Sequence, residues 1–232
     1  APDSGTWQVS AGTLQVASTS NKADAVAVYQ VGDALPSYYE VLSTIKVVKP
    51  TAGWNANSYV IFDYQDANNF KFAGLNVSTN KLEMGIRTAA GWQVLKQASF
   101  PGSIKNDTWY NVMLSVNGLT ATLIVDNKNV FSHTFAATVV DGWAYGLNWG
   151  LVGVGSDNSR GAFDNIRVQV VPPEATFTSS EDFNDGKADL FTAGSTGIWG
   201  VSGGRYLVTP TGPGSVSLMD LGPDHLSVDA LL

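Results

Sequence analysis

Residues 58–96, SYVIFDYQDANNFKFAGLNVSTNKLEMGIRTAAGWQVLK, alternate in side-chain character with a period of two. Tyr59, Ile61 and Asp63 alternate with Val60, Phe62 and Tyr64. Leu82, Met84 and Ile86 alternate with Lys81, Glu83, Gly85 and Arg87. Between these runs stand Asp66-Ala67-Asn68-Asn69, Ser78-Thr79-Asn80 and Ala89-Ala90-Gly91, residues that reverse a chain. Alternation of this kind, broken by turn residues every ~8–12 positions, predicts four short strands in a meander. A meander must lay its apolar face on a second sheet, and the rest of the chain supplies strands for one.

Residues 6–16 read as a hairpin around Ser10-Ala11-Gly12, and 23–31 and 37–48 as longer strands. Trp54 sits in a loop at 50–57. Tyr110, Val112, Leu114 and Val116 share one face of a strand at 108–117, which pairs with 121–126; a further strand follows at 130–135. Residues 139–149 read as an aromatic loop, 151–155 as a glycine-rich buried strand and 163–171 as a closing strand. No segment carries a helical period. With 44% hydrophobic and 14% charged residues, the chain can bury a substantial core. A net charge of −7 with no cluster of Lys and Arg excludes a nucleic-acid partner. There is no cysteine, so disulfides and thiolate metal sites are excluded. No apolar run approaches the ~18–20 residues of a membrane span. Ala1 reads as a cut made inside a domain.

An internal repeat organises the chain. GTWQVSAGTLQV near the start matches GIWGVSGGRYLV near the end, with Trp7 on Trp199, Val9 on Val201 and Gly12 on Gly204, an offset of 199 − 7 = 192. Residues 25–29 resemble 215–219 more loosely. This divides the chain into a sandwich at 1–171 lacking its own first strand, a Pro-Pro linker at 172–177, and the start of a second repeat at 178–232. Residues 178–195 have no counterpart before the first copy, so they either complete the first sandwich or belong to an incomplete second one. The apolar end at 227–232 is expected to dock on the first unit or on a neighbouring chain, because an unpaired apolar strand invites aggregation.

The order W-x-V-x-x-G-x-L-x-V, YEVLSTIKV, YVIFDYQDANNFKFAGL, KLEMGIR, TWYNVMLSVNG and GAFDNIRVQ resembles the laminin-G-like, concanavalin A-like jelly rolls, in particular the repeats of large bacterial extracellular multidomain proteins. FDN (163–165) and EDFNDG (181–186) are the most specific motifs of that likeness. It implies an all-β jelly-roll β-sandwich of two antiparallel sheets. It also implies a secreted or cell-surface location, with neighbouring repeats of the same protein as partners.

The residues bear on three kinds of chemistry. Concanavalin A-like glycosidases set several acids on one strand face, and no such run exists here. Glu40 and Glu83 stand singly within strands and are expected to be solvated, and His133 and His225 have no catalytic partner in a recognisable motif. The chain is therefore expected not to be an enzyme, with a polysaccharide-active glycoside hydrolase or lyase as an alternative should distant acids converge. Glu181, Asp182, Asn184 and Asp185 gather hard oxygen ligands on one turn, the chemistry a structural calcium uses. The resemblance would bring Asp164 near that turn, and Asp157 with Asn158 form a second candidate. Sugars stack their C–H faces on aromatics while amides and guanidinium groups read their hydroxyls. Trp143, Tyr145, Asn148 and Trp149 in one loop, with Trp54, Trp92 and Arg160, are the carbohydrate-binding candidates. Trp54 is expected to be the most exposed, whereas Trp7, Trp109 and Trp199 start strands and are expected in the core. The expected function is a non-catalytic, lectin-like module for a polysaccharide or glycan, or an adhesive one. The alternative is a spacer repeat with no small ligand. At least two solvent-facing aromatics lining one groove would separate the first from the second.

Overall fold

The computed structural model describes residues 2–16, 23–31, 34–48, 52–170, 181–193 and 196–219, and every regular element among them is a strand. The chain divides into two compact units, Ala1–Pro172 and Pro173–Leu232. The linker at 172–177, the apolar end at 227–232 and His225 lie outside the described residues.

Strands of the first unit are β1 (Pro2–Ser4), β2 (Trp7–Ser10), β3 (Thr13–Val16), β4 (Ala25–Tyr29), β5 (Tyr38–Val48), β6 (Asn57–Asp66), β7 (Asn69–Asn76) and β8 (Lys81–Thr88). After them come β9 (Gly91–Ser99), β10 (Trp109–Asn117), β11 (Thr120–Val125), β12 (Lys128–Thr134), β13 (Thr138–Val140), β14 (Trp143–Tyr145), β15 (Leu151–Ser156) and β16 (Arg160–Gln169). They form two seven-stranded sheets, in the orders β1-β4-β15-β6-β7-β8-β9 and β12-β11-β10-β5-β16-β3-β2. The architecture is an all-β, concanavalin A-like jelly-roll sandwich of antiparallel sheets.

The second sheet follows the simple rule of one buried face. In β5, Tyr39, Val41, Ser43, Ile45 and Val47 point inward and their neighbours are half-exposed. Tyr110, Val112, Leu114 and Val116 of β10 do the same beside it, in the parity the sequence predicts. The first sheet differs, because its middle is buried on both sides. Val60, Phe62, Ala73, Leu75, Leu82 and Met84 face the sandwich core. Tyr59, Ile61, Phe70 and Phe72 face outward, yet form a second apolar cluster with Val26, Tyr64 and Trp92. Strands covered on both faces read as nearly continuous apolar runs, as β6 does. Glu83, expected as a solvated charge, is therefore only 3% exposed under this outer layer.

Residues 139–149, predicted as a loop, contain the β13–β14 hairpin. Its turn is Asp141-Gly142 with φ of 51° and 83°, the paired positive φ that two-residue hairpins favour.

The second unit contains β17 (Phe191–Ala193), β18 (Ile198–Ser202), β19 (Arg205–Thr209) and β20 (Ser217–Met219). Its β18–β19 hairpin pairs Trp199 with Val208 and Val201 with Tyr206. The first unit's β2–β3 hairpin pairs Trp7 with Val16 and Val9 with Leu14, the same register 192 positions earlier (199 − 7). Their turns match as well, with φ of 48° and 78° at Ala11 and Gly12 and 59° and 69° at Gly203 and Gly204. Trp7 packs on Phe163 at the edge of the core, and Trp199 packs on Tyr206. Trp109, by contrast, is 39% exposed on the outer face, with the Lys46 ammonium 5.0 Å from its ring centre.

Candidate carbohydrate-binding site

A cleft of about 360 Å³ opens at the end of the first sheet where β4 finishes and β15 begins. Tyr29 and Gln30 form one wall, and Tyr145, Asn148 and Trp149 the other. The second wall is held by its backbone. Leu147 is buried, and its carbonyl accepts a hydrogen bond from the Tyr39 hydroxyl at 2.8 Å. Asn148 Nδ2 donates to the Leu35 carbonyl at 2.8 Å, so this amide braces the loop. Gly150 lies against the backbone of Asp63 and Tyr64, where a Cβ would sit 2.4 Å from the Asp63 carbonyl carbon and the Tyr64 nitrogen. That close approach is made at an irregularity in β6, where Asp63 has φ of 44° and the register with β7 shifts.

The loop thus fixed presents an aromatic platform. Tyr145 and Trp149 stack with ring centres 4.3 Å apart and planes 19° apart. Trp149 is 46% exposed and Tyr29 60% exposed, and both line the cleft. Trp143 is 73% exposed on the adjoining hairpin but does not line it. Tyr29 was not among the sequence candidates, since nothing local marks the last residue of a strand as the wall opposite a loop more than a hundred positions away.

The remaining aromatic candidates have structural places. Trp54, expected to be exposed, is 8% exposed, with the Arg160 guanidinium 3.9 Å above its ring centre. Both belong to the opposite end of β6, where burial lowers the pKa of Arg160. Trp92 lies over the outer face of the first sheet, 4.9 Å from Phe72 and 5.6 Å from Tyr59 between ring centres.

Trp92 borders a polar cluster that sequence reasoning did not assemble. Its Nε1 donates to Asp24 Oδ2 at 2.8 Å, and Arg87 Nε lies 3.5 Å from the same oxygen. Glu83 accepts hydrogen bonds from Tyr59 Oη (2.8 Å), Asn76 Nδ2 (3.0 Å) and Thr79 Oγ1 (2.9 Å). Asp157 accepts from Asn55 Nδ2 at 3.2 Å and is hydrogen-bonded to Asp24. Burial, and next the charge of Asp24, push the Asp157 carboxyl up to about 6.

The shift at Asp157 has a consequence for stability. Unfolded, the group titrates near 3.8 and, folded, near 6, so the folded chain keeps its proton over that interval. The contribution of Asp157 to stability therefore falls as pH rises from about 4 to about 6 and is level above. Asp157→Asn removes that loss. The variant is expected to gain about 1–2 kcal/mol at pH 7, discounted for partial solvent exposure. The gain should shrink toward zero at pH 4. Urea denaturation of both proteins at pH 4, 5, 6 and 7 checks it; a gain independent of pH would refute the assignment.

At the acidic turn of the second unit, the side chains hydrogen-bond the turn itself. Glu181 accepts from the amides of Phe183 and Asp189. Asp182 accepts from the amide and side chain of Asn184, which hold its carboxyl below the usual range. Asp185 accepts from the Lys187 amide at 2.9 Å. In the first unit, Asp164 opens a bulge in β16, and its Oδ1 accepts from the Asn165 amide at 2.7 Å. Among the described residues, no three His, Asp or Glu side chains converge as a metal-binding group. These hydrogen bonds brace the turn from within.

No protein-family model and no curated protein matches the sequence. Solved structures do match the fold. A carbohydrate-binding module, CBM66, from Bacillus subtilis aligns with a TM-score of 0.59 and 15% identity, over 73% of this chain and 94% of its own. A Bacillus subtilis protein of unknown function with a galectin-like fold aligns with a TM-score of 0.53 and 9% identity, over 73% and 88%. At such identities the likeness is one of fold, and the chain shares the galectin-like, concanavalin A-like β-sandwich of these two proteins.

Proposed function

We propose that this chain is a non-catalytic, lectin-like module that binds a polysaccharide or glycan. The observation that carries the reading is the end cleft of about 360 Å³, which the exposed side chains of Tyr29 and Trp149 both line. Solvent-exposed aromatic faces in a concave site are costly to leave wet and suit the C–H faces of a sugar ring. The hydroxyls of Tyr29 and Tyr145 and the amide of Gln30 stand ready to read its hydroxyl groups. The likeness in fold to a carbohydrate-binding module agrees with this role. A laminin-G-like relationship, an adhesive role, a bacterial cell-surface location with neighbouring repeats as partners, and a structural calcium at the acidic turn belong to the same proposal.

Affinity electrophoresis through gels containing soluble polysaccharides tests it, with calcium and chelator arms and an assay for new reducing ends. One class of polysaccharide should retard the protein without being cut. Trp149→Ala should weaken that binding at least about tenfold, equivalent to about 1.4 kcal/mol. Trp143→Ala, outside the cleft, should have a smaller effect. New reducing ends would replace the binding module with an enzyme. No retardation by any polymer would leave the spacer repeat.

A further inference from the structure

Among the described residues that line the end cleft, every polar side chain is uncharged. The cleft's hydrogen-bonding side chains are two phenols, two carboxamides and one indole, from Tyr29, Tyr145, Gln30, Asn148 and Trp149, and none of the described lining residues is Lys, Arg, Asp or Glu. Gly32 and Asp33, which follow Val31 in the sequence and lie outside the described residues, carry no cationic side chain. Ionisable groups on the surrounding elements are chiefly acidic. Asp141 is exposed in the turn that leads to Tyr145. The Tyr64 hydroxyl, on the strand beneath, is hydrogen-bonded to Asp3 and feels Asp66. Lys71 is near in the fold, but its ammonium is buried and committed to Asp63. The whole chain carries −7.

From this we infer that the glycan taken by the cleft is a neutral one, a polymer of unmodified hexose or pentose units, and that uronate, sulfated and phosphorylated glycans are rejected. The inference rests on the carbohydrate-binding reading of the same cleft. A carboxylate or sulfate entering here would lose water without gaining a charged partner, and an unpaired charge is expensive to desolvate. It would also approach an acidic surface. Rejection by uncompensated charge gives selectivity of the kind electrostatic complementarity usually supplies. A neutral sugar meets neither penalty. Its affinity would come from ring stacking and neutral hydrogen bonds, neither of which salt screens appreciably.

The test compares neutral polymers (a β-glucan, a mannan and a fructan) with anionic ones (alginate, polygalacturonate and chondroitin sulfate), at 20 and 500 mM NaCl. The wild-type protein should be retarded by at least one neutral polymer. Its dissociation constant should change by less than about twofold between the two salt concentrations. The anionic polymers should bind at least about tenfold more weakly. Gln30→Lys, at an exposed lining position, should gain retardation by an anionic polymer at 20 mM that fades at 500 mM. Retardation of the wild type by an anionic polymer alone would overturn the neutral class while leaving a glycan-binding protein. Retention of that binding in Trp149→Ala would move it away from the cleft. Failure to bind any polymer would overturn both this inference and the proposed function beneath it.

Discussion

Lys71→Ala is expected to remove about 3–5 kcal/mol of folding stability, the cost of leaving a buried carboxylate without its cation. The partner is Asp63, whose side chain is 2% exposed and forms an ion pair with the Lys71 ammonium. The pair lies on the core side of the first sheet, where the ammonium also stands 5.6 Å from the Phe135 ring centre. Once Lys71 is cut back, Asp63 Oδ1 keeps only the Gln65 amide at 3.0 Å. Asp63 cannot readily turn out to solvent, because its backbone is fixed at φ 44° between β7 and the Gly150 approach. The effect should reach the cleft, since that backbone is the surface on which the Trp149 loop rests. Lys71→Met with Asp63→Asn should restore most of the stability, because replacing both partners removes the stranded charge. Urea denaturation of the two single variants and the double variant measures the coupling. A Lys71→Ala cost below about 1 kcal/mol, the range of exposed pairs, would mean that water reaches this one.

The sandwich was legible because most of its strands have one wet face. Residues 109–117 set Tyr110, Val112, Leu114 and Val116 on one face, and that parity is the one observed. The first sheet was only half legible. Periodicity places Glu83, Gly85 and Arg87 opposite Leu82 and Met84, and a strand with one apolar face reads as open on the other. Nothing in the strand itself says that Tyr59, Phe72 and Trp92 roof that second face, so Glu83 read as solvated. The same limit applies to Trp54. A tryptophan in a polar loop reads as exposed until Arg160, 106 positions on (160 − 54), is found lying on it. For the cleft, the aromatic loop supplied Tyr145, Asn148 and Trp149, because the density of these three and Trp143 in seven residues is a local signal. Tyr29 joins them only through the β4–β15 pairing, which no local pattern encodes. The β13–β14 hairpin escaped because strands of three residues are too short to show a period.

Phe72→Ala is expected to destabilise by a similar ~3–5 kcal/mol, although Phe72 points away from the sandwich core. The ring is 1% exposed and lies between Tyr59 and Trp92, with centre distances of 4.7 and 4.9 Å. Below it, Gly85 leaves the space that the ring fills, since a Cβ there would come within 2.8 Å of Phe72 Cζ. Truncation therefore opens a cavity above a strand that has no side chain to collapse into it, and sites that cannot collapse give the larger losses. Trp92→Ala should cost less despite the larger ring, because Trp92 is only partly buried at the rim of the cluster. It would, however, release Asp24 from its indole donor, and so disturb the Asp157 titration. Chemical denaturation separates these cases. If Phe72→Ala costs no more than Trp92→Ala, the outer layer is a loose cover. If it costs as much as Phe62→Ala on the opposite face, the first sheet is clamped between two cores. The stiffness of β6 would then come from both sides, and with it the fixed backbone at Asp63 and Tyr64 that holds Trp149 in position to meet a sugar.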